Sequence, residues 1–394
     1  MRLTSPDVMK FSNYAHILRI VGIHPGICRR DVAKETGLSP QTLTNLVKEL
    51  KEYGLVSERR LESKGKGRTP LGLTINRKEF VIITVTLGTG WLRVYLNSAA
   101  GDIYSKMVYH IQAGDPILAA IKSSVGEMLS FARGAFLNVL AIVMSAEGIV
   151  DEHDGVIRYG KAYGWNKVDL RRELSSFFLP FLLVDDVNII CDYLNARGDG
   201  TASNYLVVKL DSGVGCAITY NGKTLVSNGS TLGKFGHLKV HNPDENVRCW
   251  CGNENCLTAF VSRDALERKY RIPFEDVVEN MKQNAGPGGD FTPTYVRYLS
   301  PILANSVSLL GIEKVYLTGL VPETLGFSFS HTVEDQVRPV VPPWVGFQGI
   351  EVLPKIPDVT LVSEYFLNFF FSHMVEFLAL CRTSPFVVPN HAVE

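Results

Sequence analysis

No stretch of this 394-residue chain approaches the roughly 20 uninterrupted apolar positions that a membrane-spanning helix needs. The opening residues, Met-Arg-Leu-Thr-Ser-Pro-Asp, also lack the apolar core and small-residue cleavage site of a secretory leader. A cytoplasmic protein with no membrane partner is therefore expected. Cysteine is scarce and odd in number, at seven. Three of the seven crowd into Cys249–Cys256, which argues against a disulfide framework and for a metal site. The remaining four, Cys28, Cys191, Cys216 and Cys381, are dispersed among apolar residues and read as buried reduced thiols. Net charge is absent as well, but only as a total. Residues 1–78 hold 15 Lys and Arg against 7 Asp and Glu, which leaves 25 against 33 for the rest. A basic head on an acidic body is the asymmetry of a nucleic-acid-binding appendage.

The head reads as a winged helix. Tyr14, Ile17, Leu18 and Val21 recur at helical spacing from Asn13 to Ile23, and His24-Pro25-Gly26 ends that helix. A second helix runs from Arg29 to Thr36, and Gly37-Leu38 turns the chain. Ser39-Pro40 then caps a third helix carrying Leu43, Leu46, Val47 and Leu50 inward. Two short strands follow, about 55–59 and 70–75, joined by the basic tip Ser63-Lys64-Gly65-Lys66-Gly67-Arg68. With its apolar side committed, the third helix turns Gln41, Thr42, Thr44, Asn45 and Lys48 outward, side chains suited to base edges and phosphates. Arg29 and Ser39 join them as expected DNA contacts, and Lys64, Lys66 and Arg68 at the tip can reach a neighbouring minor groove. A winged helix that contacts protein, with a solvated tip, is the alternative.

Past Glu79 the pattern becomes strand-rich α/β. Strands read at 80–87, 92–96, 103–111, 139–143, 181–184, 205–210, 215–220 and 314–317. A helix reads at 117–132, a turn at Asn221-Gly222, and an apolar C-terminal helix near 361–381. His237, Cys249, Cys251 and Cys256 space as His-x11-Cys-x-Cys-x4-Cys, one imidazole and three thiols. That is the ligand set of a closed tetrahedral structural zinc, the expected cofactor. A catalytic His237 beside reduced, unligated cysteines is the alternative.

Several segments together resemble the ROK family of repressors, open reading frames and sugar kinases. They are Arg29-Arg30-Asp31-Val32-Ala33, Gly37-Leu38-Ser39, Gly67-Arg68-x-Pro70, Leu232-Gly233-Lys234-Phe235-Gly236-His237, and Cys249-Trp250-Cys251-Gly252-Asn253-Glu254-Asn255-Cys256-Leu257. The resemblance spans about residues 13–385 and implies an α/β protein: a winged helix-turn-helix followed by a two-lobed actin-like ATPase fold of the sugar-kinase kind. The expected domains are 1–78 for the head, 79–190 for the first lobe and 191–394 for the second, with the last helix returning to the first lobe. The implied function is a repressor of carbohydrate-related genes. Its implied partners are double-stranded operator DNA, a sugar or sugar-phosphate effector between the lobes, and further copies in a homodimer or homotetramer.

Against the family's pattern the kinase parts depart. The first phosphate loop, Thr84-Val85-Thr86-Leu87-Gly88-Thr89-Gly90, has Thr86 where the resemblance implies a magnesium-organising Asp. The second, Asp211-Ser212-Gly213-Val214-Gly215, is better kept, and the adenosine segment keeps only Gly319. Asp186 matches the family's catalytic base, while Asp185 replaces an Asn. Lys234 and Thr258 replace two Glu of the sugar site. An enzyme is not expected. Asp185, Asp186, Lys234, His237 and Thr258 are the implied effector contacts; either the effector differs from an ordinary neutral hexose, an anion paired with Lys234 being one form, or the pocket binds nothing. Lys234 has a bland alternative, pairing with Asp185 or Asp186. A sugar kinase with an accessory head and a constitutive DNA-binding protein remain the competing readings.

Overall fold

The structure is a computed structural model that describes residues 5–60, 71–112, 114–197, 202–227, 232–241, 246–375 and 377. Contacts divide the chain into two units, one of residues 1–185 with 357–394, the other of residues 186–356. The break after Asp185 falls five residues before the boundary expected from sequence.

In the first unit the head opens with α1 (Ser5–Ile23), α2 (Arg29–Thr36) and α3 (Pro40–Glu52). α1 begins eight residues before the expected Asn13, and its first turns face outward, Val8 and Met9 included, so no core-facing stripe marks them. Lys10 in that extension reaches α3, 2.5 Å from Glu49, and the Tyr14 hydroxyl donates to the same carboxylate. α2 ends at Gly37 in the left-handed conformation, φ 71°, which costs glycine nothing. α3 starts on Ser39, whose side chain accepts from Thr42 N at 3.1 Å, with Pro40 in the first helical position. Leu43, Leu46, Val47 and Leu50 are buried beneath it, alongside Tyr14, Ile17, Leu18 and Val21 of α1. The strands β1 (Ile27–Cys28), β2 (Val56–Arg60) and β3 (Leu71–Ile75) pair in the order β1-β3-β2. The two-residue β1 was not legible in the sequence, being too short to show alternation. The tip with Lys64, Lys66 and Arg68 lies outside the described residues.

The body of this unit is a five-stranded sheet in the order β11-β7-β4-β5-β6. Its members are β4 (Val81–Gly88), β5 (Trp91–Ser98), β6 (Ile103–His110), β7 (Val139–Ala146) and β11 (Phe181–Asp185). β4, β7 and β11 run parallel, whereas β4, β5 and β6 form an antiparallel meander. Every residue of β4 is buried, so the strand needs a cover on each face. α4 (Ile117–Gly134) supplies one, setting Ile117, Ile121, Val125 and Met128 against Val85, Leu87 and Val94. The C-terminal helix, Asp358–Ser372, supplies the other through Val362, Phe366 and Phe370. A small antiparallel sheet of β8 (Ile149–Asp151), β9 (Val156–Gly160) and β10 (Trp165–Asp169) was not anticipated from sequence. Its strands are short and interrupted by polar residues.

The same C-terminal helix packs on α1 of the head. Phe80 lies edge-on to Phe370 and Phe371, at 5.6 and 5.9 Å between ring centres. Arg77 makes a two-pronged bond to Glu364, both contacts at 2.7 Å. The end of the chain thus joins head to body.

The second unit is again a five-stranded sheet, β14-β13-β12-β15-β16. It comprises β12 (Tyr205–Leu210), β13 (Val214–Tyr220), β14 (Lys223–Thr224), β15 (Lys314–Thr318) and β16 (Gly349–Val352). β12, β15 and β16 are parallel, and β12 and β13 form a hairpin. Asn221 and Gly222, at φ 50° and 69°, make the expected tight turn into β14. Of the dispersed cysteines, Cys191 is buried, but Cys28 and Cys216 are only half-buried, and Cys381 lies outside the described residues.

Phe370 is fully buried in the seam, and its truncation to Ala should cost about 3–5 kcal/mol. The urea midpoint of the full chain measures this. A loss under about 1 kcal/mol would show that the helix is not seated as described.

Candidate nucleic-acid interface and metal centre

On α3 the outward side chains differ in what they have left to offer. Thr44 Oγ1 donates back to Pro40 O at 2.8 Å, and Thr42 Oγ1 pairs with Ser39 Oγ at 2.8 Å. Gln41, Asn45 and Lys48 extend into solvent, Lys48 with a loose 3.8 Å pair to Glu52. Arg29, expected on DNA, is half-buried with its Nε 2.6 Å from Glu58 Oε1, and Lys51 holds the other oxygen at 2.7 Å. It straps α2 to the wing strand β2. The neighbouring Arg30, with a side chain 91% exposed, is the arginine that faces outward, and the sequence alone could not tell the two apart.

The metal-site residues come together. The ligand atoms of His237, Cys249, Cys251 and Cys256 all lie within 4.8 Å of one another. Cys251 and Cys256 sulfurs are 3.7 Å apart, and Cys249 Sγ is 3.8 Å from His237 Nδ1. A tetrahedral ion with Zn–S bonds of about 2.3 Å spaces its sulfurs by about 3.8 Å, so the donor set fits such an ion. The local fold follows from glycine and asparagine. Gly252 (φ 90°) closes the turn from Cys249 to Cys256, where Cys249 N donates to Asn253 O at 2.8 Å. Gly233 and Gly236 let the segment before His237 lie flat on β13, since a Cβ would meet the Cys216 or Val214 carbonyl at 2.3 or 2.7 Å. Burial, with Lys234 and Lys239 nearby, lowers the His237 imidazole below its ordinary value, which favours the neutral, ligating form. Burial pushes the Cys249 thiol up to about 12. Burial acts the same way on Cys251, but donors from Asn253 and the neighbouring thiols bring it down to about 7. Lys239 Nζ sits 3.4 Å from Cys256 Sγ, a cation against the negative charge that three thiolates would bring.

The turn between β4 and β5, expected from the resemblance to meet phosphate, is crowded by the chain's own side chains. Buried Thr86 donates to Asp358 Oδ2 at 3.3 Å, and Arg93 donates to the same oxygen at 2.7 Å. Arg93 stacks on Trp91 at 3.8 Å, and the Trp91 ring covers Gly88 so closely that a Cβ there would lie 2.3 Å from it. At the turn's tip, Thr89 N and Oγ1 donate to Glu147 Oε2 at 3.0 and 3.1 Å. Asp185, at the end of β11, donates its amide to Glu152 Oε1 at 3.0 Å.

The second unit holds the other implied effector residues. Asp186 is bound at 2.6 Å by Lys209 of β12, a cation the sequence reading did not single out. The Lys234 carbonyl accepts from His237 N at 2.9 Å. Thr258 is buried two residues after Cys256, so the metal loop fixes its position. Lys209, Arg93, Glu147 and Asp358 were missed because their partners are distant in sequence, and only alternation on β5 and β12 hinted at their faces.

The model of the ROK family matches residues 82–344, and that of the MarR family matches residues 9–69. The DNA-binding transcriptional dual regulator NagC of Escherichia coli is 22% identical over 340 residues, 80% of this chain and 82% of that protein. The xylose repressor of Caldicellulosiruptor bescii is 24% identical over 269 residues, 66% of each chain. Among solved structures, a ROK family transcriptional regulator, a homologue of the E. coli MLC protein, superposes with a TM-score of 0.79 at 20% identity. It covers 95% of this chain and 100% of its own. A ROK hexokinase from Thermus thermophilus gives 0.57 at 20% identity, covering 73% and 97%. The full-length likeness shows the fold to be a winged helix followed by the two-lobed sugar-kinase body.

The strap on Glu58 carries a pH signature. Its bonds to Arg29 and Lys51, against the opposing effect of burial, hold the carboxyl below its ordinary value. The stabilisation is therefore complete above the ordinary carboxylate value and fades as pH falls through the depressed one. Glu58→Gln should lower the melting temperature more at pH 7 than at a pH below the ordinary carboxylate value. An equal effect at both values would show that the carboxylate charge is not what holds the strap.

Proposed function

The chain belongs to the ROK family, and from that premise we propose that it is a DNA-binding transcriptional regulator, a repressor of carbohydrate-related genes governed by a sugar or sugar-derivative effector. The observation that carries this reading is the basic winged helix at the front of the chain, with an outward polar face on α3 and a body that resembles a kinase. Ser39, Gln41, Thr42, Thr44, Asn45 and Lys48 are assigned to duplex DNA, with Lys64, Lys66 and Arg68 of the wing tip. Arg29 acts indirectly by fixing the wing strand, and Arg30 takes the outward position beside it. Two copies in a dimer, or four in a tetramer, would suit a two-fold operator, and the protein would work in the cytoplasm.

The body reads as a kinase fold without kinase chemistry. Thr86 stands where a carboxylate would organise magnesium, the nearby Asp358 is neutralised by Arg93, and the amide at the turn already has Glu147 as its anion. Asp186, the would-be base, is paired with Lys209. Asp185, Asp186, Lys234, His237 and Thr258 are assigned to the effector. Zinc would be held by His237 Nδ1, Cys249, Cys251 and Cys256, a closed set that leaves no open position for activating water. Ligation through Nδ1 leaves Nε2–H of His237 to donate to an effector hydroxyl.

Purified protein should carry about one zinc per chain by mass spectrometry of the metal. Cys251→Ser should lose it and lower the melting temperature. Genomic fragments captured by the protein should lie upstream of carbohydrate genes, and one sugar or sugar phosphate of a panel should change that capture. The same ligand at 100 times its dissociation constant should add about 2.7 kcal/mol of stability. Transfer of phosphate from ATP to any sugar of the panel, in a coupled assay, would overturn the reading.

A further inference from the structure

The exposed face of α3 carries a division of labour that points to the sequence it reads. Three hydroxyls on that face are turned back onto the protein. Ser39 Oγ caps Thr42 N at 3.1 Å, Thr42 Oγ1 pairs with Ser39 at 2.8 Å, and Thr44 Oγ1 bonds the Pro40 carbonyl at 2.8 Å. Lys48, exposed and paired among the described residues with Glu52 at 3.8 Å, is a point charge suited to a phosphate. The two carboxamides remain. Gln41 and Asn45 are exposed, one helical turn apart, and joined only by a contact of 3.5 Å from Gln41 Nε2 to Asn45 Oδ1. That length is at the limit of a hydrogen bond, so little is lost when the pair opens.

A carboxamide offers one donor and one acceptor side by side. In the major groove this matches adenine alone among the bases, the amide NH2 donating to N7 and its oxygen accepting from the N6 amine. Four residues of helix advance about 6 Å, and base pairs are spaced by about 3.4 Å, so two such side chains reach bases one or two steps apart. We propose that Gln41 and Asn45 are the specificity-determining pair of this regulator, each reading an adenine in the major groove, one or two base pairs apart in each operator half-site. The hydroxyls and Lys48 then set position without carrying sequence. The proposal rests on the DNA-binding reading above and deepens it.

The test uses the full-length protein with its metal. A site is first selected from random double-stranded DNA, and 7-deazaadenine is then placed at each adenine of that site in turn. This base keeps Watson–Crick pairing and loses only the N7 acceptor. Wild-type affinity by fluorescence anisotropy should fall roughly 5- to 150-fold at two positions in each half-site. Gln41→Ala should become indifferent to the analogue at one of them and Asn45→Ala at the other. Both side chains are exposed, so zinc content and melting temperature should stay those of wild type, which keeps a loss of binding from being a loss of fold. Selected half-sites without adenine, or alanine variants that still sense the analogue at both positions, would overturn the assignment while leaving DNA binding intact. A wild-type protein that enriches no duplex would overturn the DNA-binding reading itself, and the assignment with it.

Discussion

A strand buried on both faces must be covered twice, and in the first unit β4 sets that demand. One cover, α4, is supplied locally by the chain that follows the meander. The other comes from the far end of the sequence, as the helix Asp358–Ser372. Burying Phe366 and Phe370 against the sheet leaves Phe371 to meet the head, where Gly22 of α1 offers the close approach, its Cβ position 3.4 Å from that ring. Head and body therefore share a hydrophobic seam, and the two-pronged Arg77–Glu364 bond fixes its register. Packed rings and a two-pronged ion pair, and not a bare tether, join the head to the sheet.

The same helix also anchors the end of β4. Its first residue, Asp358, meets Arg93 and Thr86 and so ties that strand and β5 to the C-terminal helix. Trp91 over Gly88 and Glu147 on the Thr89 amide close in on the turn between them. In the second unit Lys209 stands against Asp186. Arg93 and Lys209 each set a cation against a carboxylate, Asp358 and Asp186, while Trp91 and Glu147 meet the turn after β4.

Much of this was legible in the sequence where the signal is local. The Ser39-Pro40 cap, the four-residue apolar stripe of α3, the Asn221-Gly222 turn and the Cys-x-Cys-x4-Cys spacing each encode their own geometry, and the four residues expected to hold a metal lie close together. What escaped was non-local or short. The early turns of α1 face outward and are held by Lys10 and Tyr14 reaching Glu49. β1 and the small sheet of β8, β9 and β10 are too short or too polar to alternate visibly. Arg29 and Arg30 are identical by composition, and only the position of Glu58 on β2 separates the strap from the outward arginine. Ion pairs across hundreds of residues, such as Arg93 with Asp358, leave no trace in periodicity at all.

The head's grip on duplex DNA is the property on which the regulator's function depends. The direct measurement is the affinity of the full chain for a captured duplex across a series of salt concentrations. Each phosphate neutralised should contribute about −0.9 to the slope of log affinity against log salt, so a slope of about −4 or steeper is expected, and Lys48→Ala should flatten it by about 1. A slope near zero, or no binding at low ionic strength, would contradict the central claim.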